Sequence, residues 1–429
     1  MTSQETVPGR TWSLGDELVL EIESLCSGGE GLGRVDGLAV FVPYAAPGDS
    51  ARVRVERVEK RFLRARIVEL VSPSSVRRAP RCAHFGTCGG CAWQHVEYAA
   101  QRAAKGEIVR EALQRVGGIA WERAIEVLYA GEWGWRARAE LHAGVLPSGE
   151  RVLGFRAANS RGIVALEECP VLLPAAEERI ARYRAARRVE PASGRKASRA
   201  RGAKPTSAGK GKAGSKEERI FLGVGDDGRT VLAGGQPASG ADEDPVVEQT
   251  FLGSTYGFAA DGFFQAHRAL APTLVERALG DAQGALAFDL YAGAGLFTLP
   301  LARRFSRVVA VESAKASVAL GRENARRNRL ENARFEHDDV EPWLTRTERA
   351  RPDFVLLDPP RSGAGSAVVG ALTALGPKRI AYVSCDPATL ARDLRVFVEG
   401  GYALTDVVAL DLFPQTPHVE CVAHLVRLA

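Results

Sequence analysis

The sequence predicts an α/β protein: a doubly wound parallel sheet in the carboxyl-terminal half, preceded by a small β-barrel and a central α+β region. Three observations carry this. From about Val246 onward, strand-like and helix-like runs alternate, the pattern of a parallel sheet covered on both faces. Between residues 12 and 70 short β-rich runs follow one another at the spacing of a small barrel. Between these regions, residues 187–216 hold ten Lys/Arg, one acid and almost no large apolar side chain. Such a segment buries too little surface to fold and reads as a disordered basic insertion. The expected domains are residues 1–72, 73–245 and 246–429.

The barrel is read from ELVLEIESL, GLAVFVPYA and ARVRVERVEKRFLRARIVEL, with the glycine-rich turn SGGEGLGRVDG between the first two. Arg52, Arg54, Arg57, Lys60, Arg61, Arg64 and Arg66 give it basic groups that suit a single-stranded nucleic-acid backbone, or equally a plain solvated face. In the last region, strands are expected at 285–290, 307–311, 353–357, 379–384, 404–411 and 420–426. Helices are expected from about 296 and at 317–327, 366–375 and 388–398. Ligands of such sheets bind outside the carboxyl ends of the strands. The glycine turn after 290, Glu312, Asp358 and Cys385 all fall there.

Composition narrows the class. The chain has 429 residues, 45% of them hydrophobic, and a net charge of +5, which is compatible with a nucleic-acid partner. The opening residues MTSQETVPGRTWSLGDE hold no apolar stretch, and no run approaches the ~18 apolar residues of a membrane helix. A cytoplasmic protein is expected, with no membrane partner and no feature demanding more than a monomer. In that compartment the seven cysteines point to metal binding or catalysis rather than disulfides.

The chemistry-bearing stretches are these. FDLYAGAGLFTLPLA runs a buried strand into Gly293-Ala294-Gly295, where small residues admit a ligand to the backbone, and VVAVE ends in Glu312, which can accept from a ribose diol. The pattern serves dinucleotides and S-adenosylmethionine alike. LLDPPRSGAG places Asp358 at a strand end before two prolines, as in methyltransferases acting on planar nitrogens or on bases, with Arg361 where amine methylators carry an aromatic. YVSCDPATLARDL presents Cys385 at a strand-to-helix turn, with Asp386 able to cap the helix. The helix amino end favours a thiolate and Asp386 opposes it. FPQTPHVECVAHLVRL carries Glu420 at the start of the last strand, either exposed at a sheet end or held over the crevice, where partial burial would make it a usable base; His418 is expected to be structural. Upstream, Cys82, Cys88 and Cys91 stand at C-x5-C-x2-C, with Cys169 distant. Four such thiols suit zinc or an iron–sulfur cluster, and spacing alone does not choose.

Taken in order, DGFFQ, DLYAGAG, VVAVE, DPPRSGAG, YVSCDPATLARDL and PQTPHVE resemble the catalytic motifs of the RNA uracil carbon-5 methyltransferases, which make 5-methyluridine in transfer and ribosomal RNA. The resemblance covers nearly the whole chain outside residues 187–216. It implies a class I S-adenosylmethionine-dependent methyltransferase fold and a TRAM-like barrel. It makes Cys385 the nucleophile, Glu420 the base, and Gln265, Tyr291, Glu312 and Asp358 cofactor or active-site contacts. Asp339 is placed beside the adenine, with Asp338 nearly as good. Cys82, Cys88, Cys91 and Cys169 match the [4Fe–4S] ligands of the ribosomal branch, which points to 23S ribosomal RNA. Asp386 replaces a usual Asn, Ala292 a frequent Cys, and His267 a usual Asn. Three rivals fare worse: a catalytically dead RNA-binding protein would lack the nucleophile or Glu312, a radical enzyme would space its cysteines more tightly, and an N-methylating enzyme would not need the Cys385–Glu420 pair.

Overall fold

The computed structural model describes residues 11–145, 151–158, 160–186, 218–234, 242, 245–347 and 349–428; the basic insertion expected at 187–216 lies outside them. The amino-terminal unit is β1 (Glu17–Glu21), β2 (Ser24–Leu25), β3 (Gly31–Val35), β4 (Leu38–Val42), β5 (Ser50–Val58) and β6 (Phe62–Ser72). Their order in the sheet is β1-β5-β6-β4-β3-β2. The two edge strands, β1 and β2, are consecutive in the chain and two residues apart, so the sheet curls back on itself as a barrel. Alternate residues of the strands point inward: Val53, Val55, Leu63 and Ala65 are sealed in its core with Leu20 and Val40.

A long helix α1 (Tyr98–Arg115) and a short strand β7 (Glu126–Leu128) follow. The central sheet holds β8 (Arg138–Val145), β9 (Arg151–Arg156), β10 (Ile163–Ala165), β11 (Glu218–Val224) and β12 (Thr230–Gly234), in the order β10-β9-β8-β11-β12 and antiparallel throughout. Helix α2 (Pro174–Ala186) covers it through Ala176, Ile180 and Tyr183. A hairpin, β13 (Val246–Phe251) and β14 (Ser254–Ala259), leads into the last region.

There the elements are α3 (Ala271–Leu279), β15 (Gly284–Leu290), α4 (Thr298–Ala302), β16 (Phe305–Glu312), α5 (Lys315–Arg327), β17 (Ala333–His337), α6 (Val340–Arg346), β18 (Phe354–Leu357), α7 (Gly365–Leu375), β19 (Arg379–Ser384), α8 (Pro387–Glu399), β20 (Tyr402–Leu410) and β21 (Glu420–Arg427). Every strand and helix expected from the sequence here is present within a few residues. Three elements come in addition, α3, β17 and α6. The sheet order is β17-β16-β15-β18-β19-β21-β20-β7. The first five strands are parallel, and β21 enters antiparallel between β19 and β20. The strands read as unbroken apolar runs because helices cover both faces and two separate cores form, one per face.

One strand crosses the expected domain boundary. β7 pairs in parallel with β20, Val408 opposite Glu126, so the catalytic sheet takes its edge from within residues 73–245. Helix α1 packs on α8 beside it, and a Cβ added at Gly117 would stand 2.6 Å from the Leu113 carbonyl and 3.0 Å from that of Ala391 on α8. No described helix is long and apolar enough to cross a membrane.

Candidate active site

The crevice lies where β15, β16, β18 and β19 end. After β15 the chain turns sharply: Tyr291, Gly293 and Gly295 all have positive φ, at 63°, 54° and 94°. At Gly295 an added Cβ would also stand 2.9 Å from the Phe335 ring, so only glycine fits. Glu312, at the tip of β16, accepts from the Gly293 N–H at 2.9 Å and the Ala314 N–H at 2.7 Å. Its carboxylate thereby clamps the glycine turn and stays at the crevice edge with lone pairs to spare.

The Asp-Pro-Pro loop is rigid for identifiable reasons. The Gly363 N–H closes a turn on the Pro360 carbonyl. The Ala364 N–H donates to Tyr382 Oη and Asp393 Oδ2, both at 2.9 Å, and Tyr382 donates to the same carboxylate at 2.7 Å. Thr389 Oγ1 donates to the Arg361 carbonyl, and Arg392 to that of Ser362. The helix after Cys385 therefore holds the loop that carries Asp358 and Arg361.

Cys385 stands between β19 and α8. Asp386 caps α8 as expected, accepting from the Ala388 and Thr389 N–H groups at 3.0 and 2.9 Å. The thiol is shifted by other causes than the helix end and Asp386: burial pushes Cys385 up to about 11, with help from the Glu420 and Asp358 carboxylates. Arg361 works the other way, by its charge and by a hydrogen bond to the sulfur. Glu420 is 4% exposed, and burial together with Asp358 raises it well above the ordinary carboxylate range, against the pull of Arg361. Asp358 is raised too, by burial and by Asp289.

Asp289 and Arg361 were missed as functional residues by reading the sequence. Asp289 is fully buried at the end of β15 and is pushed up to about 7, mainly by burial. One oxygen accepts from Thr298 Oγ1; the other has no partner among the described residues. An acid inside the apolar strand of FDLYAGAG was the available signal. In the sequence Arg361 stands out only as a missing aromatic; its guanidinium lies 3.4 Å from His418 Nε2, hydrogen-bonds Cys385 and is within charge reach of Glu420.

Of the other expected contacts, Gln265 is buried and Tyr291 half-buried, with its hydroxyl pushed up to about 12 by burial. Phe263, two residues before Gln265, is 75% exposed while Phe264 is buried. Asp338 is committed to Arg346 and to the Asp339 N–H, whereas the exposed Asp339 side chain has no bond among the described residues.

A cleft of about 850 Å³ opens above the crevice where the three regions meet. The barrel contributes Tyr44 and Arg64, the central sheet Arg136 and Arg156, and the catalytic region Arg361 and His418. His418, expected to be structural, lines this cleft; burial and the Arg361 and Lys105 charges bring it down to about 4, so it is neutral.

Cys88 and Cys91 form part of the same wall. The four expected ligand cysteines gather: Cys82 lies within charge reach of Cys88 and Cys91, and Cys169 of Cys91. The loop is folded by the Phe85 N–H on the Cys82 carbonyl and the Cys88 N–H on that of His84, and Cys169 is set by its N–H on Glu177 at 2.8 Å. Among the described residues no three His, Cys, Asp or Glu converge closely enough to hold a single metal ion. Arg136 lies beside Cys88, Cys91 and Cys169, and its Nε donates to the Arg138 carbonyl at 2.8 Å.

A glycine turn clamped by an acid, an Asp-Pro-Pro loop and a thiol at a neighbouring strand end define a methyltransferase of the doubly wound class. The model of the tRNA (uracil-5-)-methyltransferase family matches residues 243–428, and that of the TRAM domain residues 12–68. The 23S rRNA (uracil(1939)-C(5))-methyltransferase RlmD of Alkalilimnicola ehrlichii is 37% identical over 440 residues, covering 96% of each chain. That of Edwardsiella ictaluri is 35% identical over 441 residues, covering 98% of each. The Pyrococcus abyssi tRNA (uracil-54, C5)-methyltransferase, solved with S-adenosyl-L-homocysteine, superposes with a TM-score of 0.68 at 26% identity, over 95% of this chain and all of that one. The chain belongs to the RNA uracil-C5 methyltransferase family.

Proposed function

We propose that this protein is a cytoplasmic, S-adenosylmethionine-dependent enzyme that forms 5-methyluridine in 23S ribosomal RNA. The observation that carries the reading is one crevice in which Cys385, Arg361, Glu420 and Asp358 stand within charge reach of each other below a cleft lined by arginines. The relatives' printed activities support the ribosomal target.

Carbon 5 of uracil is a poor nucleophile. Attack of the Cys385 thiolate on carbon 6 forms a C–S bond and moves the ring electrons into an enolate, which is nucleophilic at carbon 5. S-adenosylmethionine supplies the methyl group as a sulfonium. Glu420, which burial raises well above the ordinary carboxylate range, takes the carbon-5 proton when ionised. The C–H electron pair closes the C5–C6 double bond, and the C6–S bond breaks to return the thiolate. Arg361 favours the thiolate that begins and ends this cycle.

Asp289, Asp358 and Glu420 leave the crevice short of positive charge, a setting that suits a ligand bearing a sulfonium and an ammonium. Gln265, Tyr291, Glu312, Asp339 and Asp358 would hold that ligand or border the reacting ring. Exposed Phe263 offers a face for an extruded base, as unstacked RNA requires.

Cys82, Cys88, Cys91 and Cys169 would hold a [4Fe–4S] cluster in a structural role. The half-buried Arg136 beside the thiols suits an anionic group there. Iron by metal analysis of anaerobically purified protein is expected; zinc would refute the assignment.

The decisive test is tritium release from RNA labelled at carbon 5 of uridine, using RNA from cells that lack 5-methyluridine. Release that requires both S-adenosylmethionine and Cys385 is expected. Methyl incorporation without release would mean that another atom is methylated.

A further inference from the structure

Glu420 is held in place from outside its own domain. Leu410 pairs with Glu420 across β20 and β21, and the loop between runs from Asp411 to Val419. Lys105, on the inner face of α1, donates from Nζ to Asp411 Oδ1 and to the Phe413 carbonyl at 3.1 Å. Both charged side chains are 0% exposed. One turn earlier on α1, Gln101 accepts from the Gln415 N–H at 3.2 Å and donates to Gln415 Oε1 at 3.0 Å. Residue 415 sits at φ 69°, and its carbonyl accepts from the Ala92 and Trp93 N–H groups, each at 3.0 Å. A non-glycine residue in that conformation persists only where its surroundings over-determine it.

The nucleophile is anchored separately. Cys385 and the Asp-Pro-Pro loop are tied to α8 through Asp386, Thr389, Arg392 and Asp393, and to β19 through Tyr382. Lys105 bonds to none of these. A buried ion pair is a poor source of stability, because desolvation offsets its attraction and an apolar pair of similar volume often serves as well. What an apolar pair lacks is direction. The ammonium fixes two points of the loop, the Asp411 carboxylate and the Phe413 carbonyl.

We infer that Lys105 and Asp411 are positioning residues for removal of the carbon-5 proton: they set where Glu420 stands, while carbon–sulfur bond formation and methyl transfer are set by the α8 side. This rests on the proposed role of Glu420 as the base. Misplacing that carboxylate should slow proton loss, by roughly tenfold to a hundredfold. The earlier steps should proceed, so the methylated uracil stays bonded to Cys385.

The test compares Lys105→Met, the double variant Lys105→Met/Asp411→Leu and Glu420→Gln in the full chain, with carbon-5-tritiated RNA and S-adenosylmethionine. Three signals are read: methyl incorporated, tritium released, and RNA–protein adduct surviving denaturation. Expected for the Lys105 variants are one methyl per enzyme in the first turnover, tritium release slowed at least tenfold, and an adduct that accumulates. The double variant leaves no buried charge unpaired, so it serves should Lys105→Met fail to fold. Methyl incorporation and tritium release falling together without adduct, or both unchanged, would overturn the inference. An adduct with Glu420→Gln and none with either Lys105 variant overturns the positioning role alone. No adduct in any variant overturns the base assignment beneath it.

Discussion

Two regions of this molecule bury thiols beside an arginine, and they differ in what else is present. At the crevice, Cys385 faces Arg361 together with Glu420 and Asp358. At the cysteine loop, Cys88, Cys91 and Cys169 face Arg136 and, chiefly, one another. Burial alone makes every one of these thiols a poor acid. What distinguishes them is the remaining company: the crevice adds two carboxylates to its arginine, whereas the cysteine loop adds further thiols.

The comparison breaks first at Cys385. Cys385→Ala should abolish methyl transfer altogether while S-adenosylmethionine binding, measured by calorimetry, stays within a few-fold of the parent. Cys169→Ser should behave oppositely, stripping iron and lowering the melting temperature while the crevice still binds the cofactor. A Cys169→Ser protein with full iron content would remove that residue from the ligand set.

Arg361→Met should lower kcat by roughly a hundredfold, the scale of losing one charged group at a reacting centre. Because Arg361 is what draws the Cys385 thiol down, its loss should also move the rising limb of the kcat/KM–pH profile to higher pH, and Arg361→Lys should restore part of both effects. An unshifted profile would show that Arg361 acts elsewhere.

The acids predict a pH effect of definite sign. Burial raises Asp289 to about 7, from near 4 in an unfolded chain. Its neutral form is favoured in the native state, so that contribution to stability is whole below about pH 4 and is lost as pH rises toward 7. A sulfonium beside the ionised acids opposes the loss. The melting-temperature gain from S-adenosylmethionine, relative to uncharged-sulfur S-adenosylhomocysteine, should therefore grow between pH 5 and 8. A pH-independent difference would refute it. Smallest of all should be Asp386→Asn: the carboxylate is spent on capping α8, Asn caps as well, and activity should change less than about twofold.

The sequence made the parallel strands legible because each is an apolar run closed by glycine, proline or an acid, as in β15, β18 and β19. ARFEH of β17 holds one buried apolar residue, Phe335, and β7 is only three residues long; neither gives a period to detect. Cys385 and Glu420 stood out because each is a reactive group in an apolar setting at a strand end. Asp289 shares that signature, but its place inside the glycine motif hides it. Lys105 and Asp411 lie 306 residues apart, and no local pattern relates them.

The position of β21 bears on how the molecule is assembled. It is the last strand in the chain, yet it lies inside the sheet, between β19 and β20. β7 emerges from the ribosome long before β20, its partner in the sheet, and such distant pairings are slow to form. Until β21 inserts, the sheet is split into two unjoined parts, and the strand that joins them is the one that begins with Glu420. Activity should therefore appear in a single late step of refolding, with no partly active intermediate before it.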